Sequence, residues 1–268
     1  MLAVAWTMTG SSDTPAGPAL QRTAGPWLLW ALGVGYVISG DYFGWNFGLR
    51  EGGLGGMAIA TAIMAVMYGC LIFTIAELAT AMPVAGGPFA FARRAFGRYP
   101  GFVVGLAVAL EYTIAPAVIA AGIAGYVGGL LDDPHPTLVR ALPVVAYVVC
   151  VAINLAGSHV SLRALLVVTL AAVLALVVWA IAIVVHAPTG ALAVAMPSVA
   201  SMPEPSAIAA ALPAAGWFFL AIEGVPMAAE EARDPSRDLP RGMIAAMLTL
   251  TGFAALILWL APAAAGLT

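Results

Sequence analysis

Hydrophobic positions in this chain neither alternate with polar ones nor form a narrow stripe. They run on, in seven apolar stretches near residues 26–49, 56–82, 101–131, 138–157, 161–187, 209–231 and 243–266. About 20 helical residues cross a hydrocarbon core about 30 Å thick. A helix also satisfies its own backbone groups where water cannot. The pattern therefore predicts seven membrane-spanning helices. A β-barrel is not expected, because no stretch sustains the alternation its strands require. Residues 1–25 form a polar leader with Ser11, Ser12, Asp13 and Pro15, expected to be a mobile tail. Its apolar start, Leu2 to Trp6, is too short for a signal-peptide core.

Composition sharpens the class. The chain has 268 residues, of which 63% are hydrophobic and 9% charged. Soluble domains carry about 25% charged residues, so there are too few charges here to coat a soluble globule. A soluble enzyme, a disordered chain and a disulfide scaffold are all excluded. All ten basic residues are arginine. Without lysine there is no P-loop phosphate site and no Schiff base to pyridoxal or retinal. Cys70 and Cys150 fall inside apolar runs and read as small buried core residues. No metal or cofactor, no nucleic-acid partner and no catalytic constellation is expected.

Arginine position sets orientation. With the N-terminus inside, Arg22, Arg93, Arg94, Arg98, Arg163, Arg233, Arg237 and Arg241 are inside and Arg50 and Arg140 outside, eight against two. The expected location is the cytoplasmic membrane, multi-pass, with Thr268 outside. The loops at 132–136 and 188–208 and a short glycine-rich turn (Gly52, Gly53, Gly55, Gly56) then lie outside.

Two spans depart from plain apolar helix. Span 1 contains Ser39-Gly40-Asp41. An ionised Asp in mid-span costs about 2.5–3.5 kcal/mol on insertion scales, so it must face protein or water. Gly40 beside it lets the helix unwind and offer free backbone groups to a solute. Asp41 is read as a functional carboxylate; the plainer alternative is an N-terminal cap on the outer half-helix. Span 6 repeats the theme in Gly216-Trp217-Phe218-Phe219-Leu220-Ala221-Ile222-Glu223-Gly224-Val225-Pro226. Pro226 removes a backbone donor there. Interrupted helices at corresponding places of two repeats point to a transport site. Glu111, at mid-depth in span 3, is expected either to line the same cavity or to hydrogen-bond between helices. Glu77 sits near the inner end of span 2.

Three stretches carry a family resemblance: Gly35 to Leu49 in span 1, Glu77 to Gly97 at the inner end of span 2, and Ala221 to Arg241 from span 6 into span 7. In these the chain resembles the amino acid–polyamine–organocation transporter superfamily, most closely its ethanolamine permeases. The resemblance implies an all-α integral membrane fold of two inverted five-helix repeats, with helices 1 and 6 broken and the solute held between the breaks. Residues 26–187 would be the first repeat, and 188–268 the incomplete start of the second.

The resemblance also implies site roles. Ser39, Gly40, Asp41, Glu111, Trp217, Leu220 and Ala221 would line the substrate. Glu223, Gly224 and Pro226 would serve coupling and gating, with Glu223 exchanging a proton or responding to a counter-substrate. An acid at Asp41 would repel a carboxylate and pair with an ammonium group. The expected activity is secondary transport of a small organic amine, ethanolamine above all, through alternating access.

The alternatives are a carrier for a neutral or cationic amino acid and a non-transporting seven-span membrane protein. This chain departs from the family in placing Gly224 after the acid and in stopping after span 7. It is therefore expected to be a truncated product, a fragment or half of a split protein. A homo-oligomer or a missing C-terminal portion would complete it.

Overall fold

A computed structural model describes residues 22–131, 135–187 and 203–265. Among them every regular element is a helix. The elements in chain order are α1 (Pro26–Val37), α2 (Ser39–Tyr42), α3 (Trp45–Ala81), α4 (Gly87–Phe96), α5 (Arg98–Gly129), α6 (Pro136–Leu155), α7 (Ser158–His186), α8 (Pro205–Gly216), the 3-10 helix η1 (Ile222–Ala228) and α9 (Pro235–Ala265). Five of these, α3, α5, α6, α7 and α9, are long and apolar enough to cross a membrane. The two remaining apolar segments, spans 1 and 6 of the sequence pattern, are the ones the structure builds in pieces.

Proline opens α1, α4, α6 and α8 within their first two positions. The missing N–H is harmless there, since the first turn has no acceptor for it. Gly97 (φ 93°) and Gly157 (φ 105°) end α4 and α6 and turn the chain into the next helix. The core lies where α1, α3, α8, η1 and α9 meet, around the fully buried Leu29, Val34, Met57, Phe218, Phe219, Ile222, Met243 and Leu250. By contrast α5, α6 and α7 present large apolar side chains outward, among them Leu110, Ile114, Val144, Val148, Leu174 and Val178. A soluble monomer rarely exposes such continuous apolar area, and faces of this kind suit a membrane helix.

Several expectations change. Residues 1–21 lie outside the described residues, as do 132–134 and 188–202 of the expected outer loops. Thr23 and Ala24, however, are not a free tail. Ala24 is buried and forms a parallel bridge with Ala232, its N–H donating to the Glu231 carbonyl at 2.9 Å and its carbonyl accepting from Arg233 N–H at 2.9 Å. The stretch 83–97, between the second and third apolar stretches, contains the ten-residue helix α4. The expected glycine turn narrows to Gly53 (φ 63°, ψ −179°), a kink inside α3. Neighbouring Gly52 and Gly56 instead lie against the Ala207 carbonyl of α8. Cys70 and Cys150 are exposed, not buried; an apolar face of a membrane helix can point to lipid as readily as to core.

Candidate functional site

The site is built where span 1 and span 6 break beside one another. Span 1 stays helical through Asp41 and Tyr42, then breaks at Phe43 (φ −154°, ψ 168°) and Gly44 (φ 99°) before α3 starts at Trp45. The break therefore falls after Ser39-Gly40-Asp41, at the glycine whose positive φ a side chain would oppose. Gly40 has a different task. A β-carbon there would overlap the Trp217 carbonyl, so the missing side chain lets the two interrupted spans touch backbone to backbone.

Span 6 leaves α8 at Gly216, turns through Trp217 to Ala221, and resumes as η1 at Ile222. Ala221 takes a left-handed conformation (φ 76°, ψ 2°), the one such non-glycine residue among those described. Unwinding thus precedes the acid Glu223. Gly224, which follows it, gives room to Tyr112: a β-carbon there would overlap the Tyr112 hydroxyl. That hydroxyl donates to the Ala221 carbonyl at 3.4 Å. Pro226 lies buried inside η1.

These breaks enclose a narrow cleft lined by Tyr36, Val37, Ser39, Ala115, Ile119, Trp217, Leu220 and Ala221. Of the expected substrate residues it brings together Ser39, Trp217, Leu220 and Ala221. Its volume, about 20 Å³, has room for a single water, so a solute needs the walls to part. On the far side of Tyr36 opens a larger cavity of about 400 Å³, with Asn154, Ser161, Met227 and Glu231 in its wall. Tyr36 lines both spaces and is the partition between them.

Beside the cleft, Glu223 of η1 and Glu111 of α5 lie within electrostatic range of one another. One oxygen of each, Oε1, is buried without a hydrogen-bond partner. Glu111 stands one helical turn before Ala115 of the cleft wall, so it adjoins the cleft without being in its lining. Tyr68 of α3 and Tyr112 lie within electrostatic range of both acids. Tyr112 also meets Tyr36 edge to face, ring centroids 6.3 Å apart.

Asp41 is not in this group. It is 2% exposed, and it lines a separate cavity with Tyr42, Trp45, Tyr126, Ala175, Leu176, Trp179 and Ile257. The reason is helix phase. Ser39 and Asp41 are two residues apart on a helical turn, which places them about 200° apart around the axis. Nor does Asp41 cap α3: neither carboxylate oxygen has a partner.

Tyr36, Tyr68, Tyr112 and Tyr126 were not singled out by the sequence. The available signals were Tyr112 beside Glu111 and Tyr36 beside Gly35.

The amino acid permease family model matches residues 19–266. The chain belongs to that family. It is 34% identical to an uncharacterized transporter of Rhizobium meliloti over 94% of this chain and 54% of that one. It is 26% identical to the branched-chain amino acid permease BcaP of Bacillus subtilis, over 89% of this chain and 54% of the relative. Cationic amino acid transporter 5 of Arabidopsis thaliana is 24% identical over 87% of this chain and 42% of its own length. The chain thus spans about half the length of the curated relatives it matches. As a permease-family member with these apolar helices, it is a multi-pass membrane protein.

Proposed function

We propose that this chain carries the solute site of a secondary transporter for a small organic amine, worked by alternating access between the breaks of spans 1 and 6. One observation carries the reading. All ten arginines are exposed, while Asp41, Glu111 and Glu223 each hold buried oxygens without a partner. An interior with acids and no basic counter-charge attracts a cation and repels a carboxylate. Ethanolamine has the ammonium group and lacks the carboxylate.

In this reading Ser39, Trp217, Leu220 and Ala221 form the solute cleft, and Gly40 lets the two breaks that frame it touch. Glu223, helped by Glu111, couples solute to proton, Gly224 seats the Tyr112 hydroxyl, and Pro226 lets η1 move. The inner cavity beyond Tyr36 is the way out to the cytoplasm, with the N-terminus inside the cytoplasmic membrane. Residues 26–187 form the first repeat and 188–268 begin the second.

The test is uptake of labelled ethanolamine by cells expressing the protein, against cells expressing Glu223→Gln. Uptake that depends on Glu223 supports the reading, and its absence in the unsubstituted protein refutes it.

The names of two relatives favour a second reading, in which the solute is an amino acid. Competition by a branched-chain or cationic amino acid, with none by ethanolamine, selects it.

A further inference from the structure

The carrier reading gives α4 no task, yet this helix has two different faces. On one side Gly87 and Phe91 are buried, and a β-carbon at Gly87 would meet Met227 of η1 at 3.2 Å. Two glycines of α5, one helical turn apart, receive its flank. A β-carbon at Gly101 would overlap Cα and Cβ of Arg93, and one at Gly105 would press on the Phe89 ring at 2.9 Å. So α4 is seated between η1 and α5.

Another face is open. Phe89 and Arg93 are four residues apart, as are Ala90 and Arg94, which stacks each pair along one side of the helix. With Met82 and Val84 from the preceding turn they wall a groove of about 630 Å³. Both guanidinium groups belong to exposed residues, and the rest of the wall is apolar, with no acid in it. From Leu78 to Leu110 the sequence carries Arg93, Arg94 and Arg98 and no acidic residue. A cation in a last turn suits the helix dipole, and arginine at membrane ends sets topology. Neither accounts for two arginines set over an apolar groove. The groove's place narrows the occupant. It lies between Ala81, where α3 ends, and Arg98, where α5 starts, and both helices are long and apolar enough to cross a membrane. Tyr99, exposed at the start of α5, suits headgroup depth. Arginine forks match phosphate oxygens in pairs, and Met82, Val84 and Phe89 suit an acyl chain. A free phosphate would leave the apolar wall unserved.

We infer that the groove on α4 is a binding site for an anionic phospholipid. Arg93 and Arg94 hold its phosphate, and Met82, Val84 and Phe89 receive the start of its chains. The inference goes beyond the carrier reading, since it does not depend on which solute crosses the membrane. Because α4 also packs on η1, a lipid held there bears on the segment that carries Glu223.

Native mass spectrometry of the detergent-solubilised chain reads bound lipid and oligomeric state together. The titrants are phosphatidylglycerol and phosphatidylcholine with identical acyl chains. The first phosphatidylglycerol should bind at a several times lower concentration than the first phosphatidylcholine. Arg93→Gln with Arg94→Gln should weaken that binding at least about fivefold, the scale of one arginine at an anionic surface. Arg93→Lys with Arg94→Lys, which keeps the charge and loses the fork, should fall between. Arg50→Gln with Arg140→Gln, the same change of charge elsewhere, should leave binding as it was. Glycerol phosphate, a headgroup without chains, should displace the lipid only weakly, a measurement that needs no variant to fold. Equal affinity for the two lipids, unchanged binding in the Arg93 and Arg94 glutamine pair, or an equal loss in the control pair overturns the inference. So does displacement by glycerol phosphate at the lipid's own concentration, the mark of a free-anion site. So does a change of oligomeric state in the glutamine pair with lipid retained, the mark of an interface between copies. Uptake of ethanolamine is measured separately, so failure of either reading leaves the other visible.

Discussion

The carbonyl of Trp217 occupies the space where a β-carbon at Gly40 would stand. This is the point at which the two interrupted spans cross. Trp217 is held from a second side as well, since its ring lies 3.1 Å from the β-carbon position of Gly44 and 6.2 Å from the Phe43 ring.

Gly40→Ala should therefore be damaging out of proportion to one methyl group. Overpacking a well-filled interior costs about 1–3 kcal/mol, and here the obstructing atom is backbone, which cannot rotate away. Gly216→Ala is the control, because nothing lies within 4 Å of its β-carbon position. Thermal melting in detergent should show a clear loss for Gly40→Ala and little change for Gly216→Ala. Equal melting temperatures would mean that the spans do not cross this closely.

The bridge between Ala24 and Ala232 ties the start of α1 to the segment after η1. Ala24→Pro removes the N–H that reaches the Glu231 carbonyl at 2.9 Å. A hydrogen bond contributes about 1 kcal/mol net, so the chain should still fold. Hydrogen exchange at the Arg233 amide, which donates to the Ala24 carbonyl, should speed up severalfold. Gly25→Ala, with open space at its β-carbon position, should leave it slow.

Orientation can be tested directly. In a Cys70→Ala, Cys150→Ala background, Arg50→Cys should react with a membrane-impermeant maleimide on intact cells. Arg98→Cys should react only after the membrane is opened. Both endogenous cysteines are exposed, which is why they must be removed first. Labelling in the opposite order would invert the topology inferred from the arginines.

The long apolar runs made α5, α6 and α7 legible within a few residues of both ends, and α9 at its C-terminal end only, since it starts at Pro235 rather than 243; length and hydropathy decide a membrane helix on their own. The broken spans were legible as well, through Asp41, Glu223 and Pro226. Direction was not. Ser39 and Asp41 looked like members of one site while the segment was taken as unwound. Once Gly44 rather than Gly40 supplies the break, the helical turn sends them to opposite sides. Gly40 and Gly224 were read as points of flexibility, whereas each makes room for a neighbour, the Trp217 carbonyl and the Tyr112 hydroxyl. Such close approaches join residues more than a hundred positions apart, and no local pattern announces them. The same holds for Glu111, whose partner Glu223 is known only once α5 is placed against η1.

That pair leads to the sharpest functional prediction. Two half-buried carboxyl groups within electrostatic range of each other, each with one oxygen buried and unpartnered, favour a proton or a cation near them. If the pair couples transport to protons, Glu223→Gln and Glu111→Gln should each lower amine uptake by at least about tenfold. The uptake that remains should no longer respond to an imposed proton gradient. Groups that act as one unit are strongly non-additive, so the double substitution should be little worse than the more severe single one. Proteoliposomes containing the protein, loaded at one pH and diluted into another, allow the measurement with labelled ethanolamine. Normal, gradient-dependent uptake by Glu111→Gln would remove Glu111 from the mechanism and leave Glu223 to act alone.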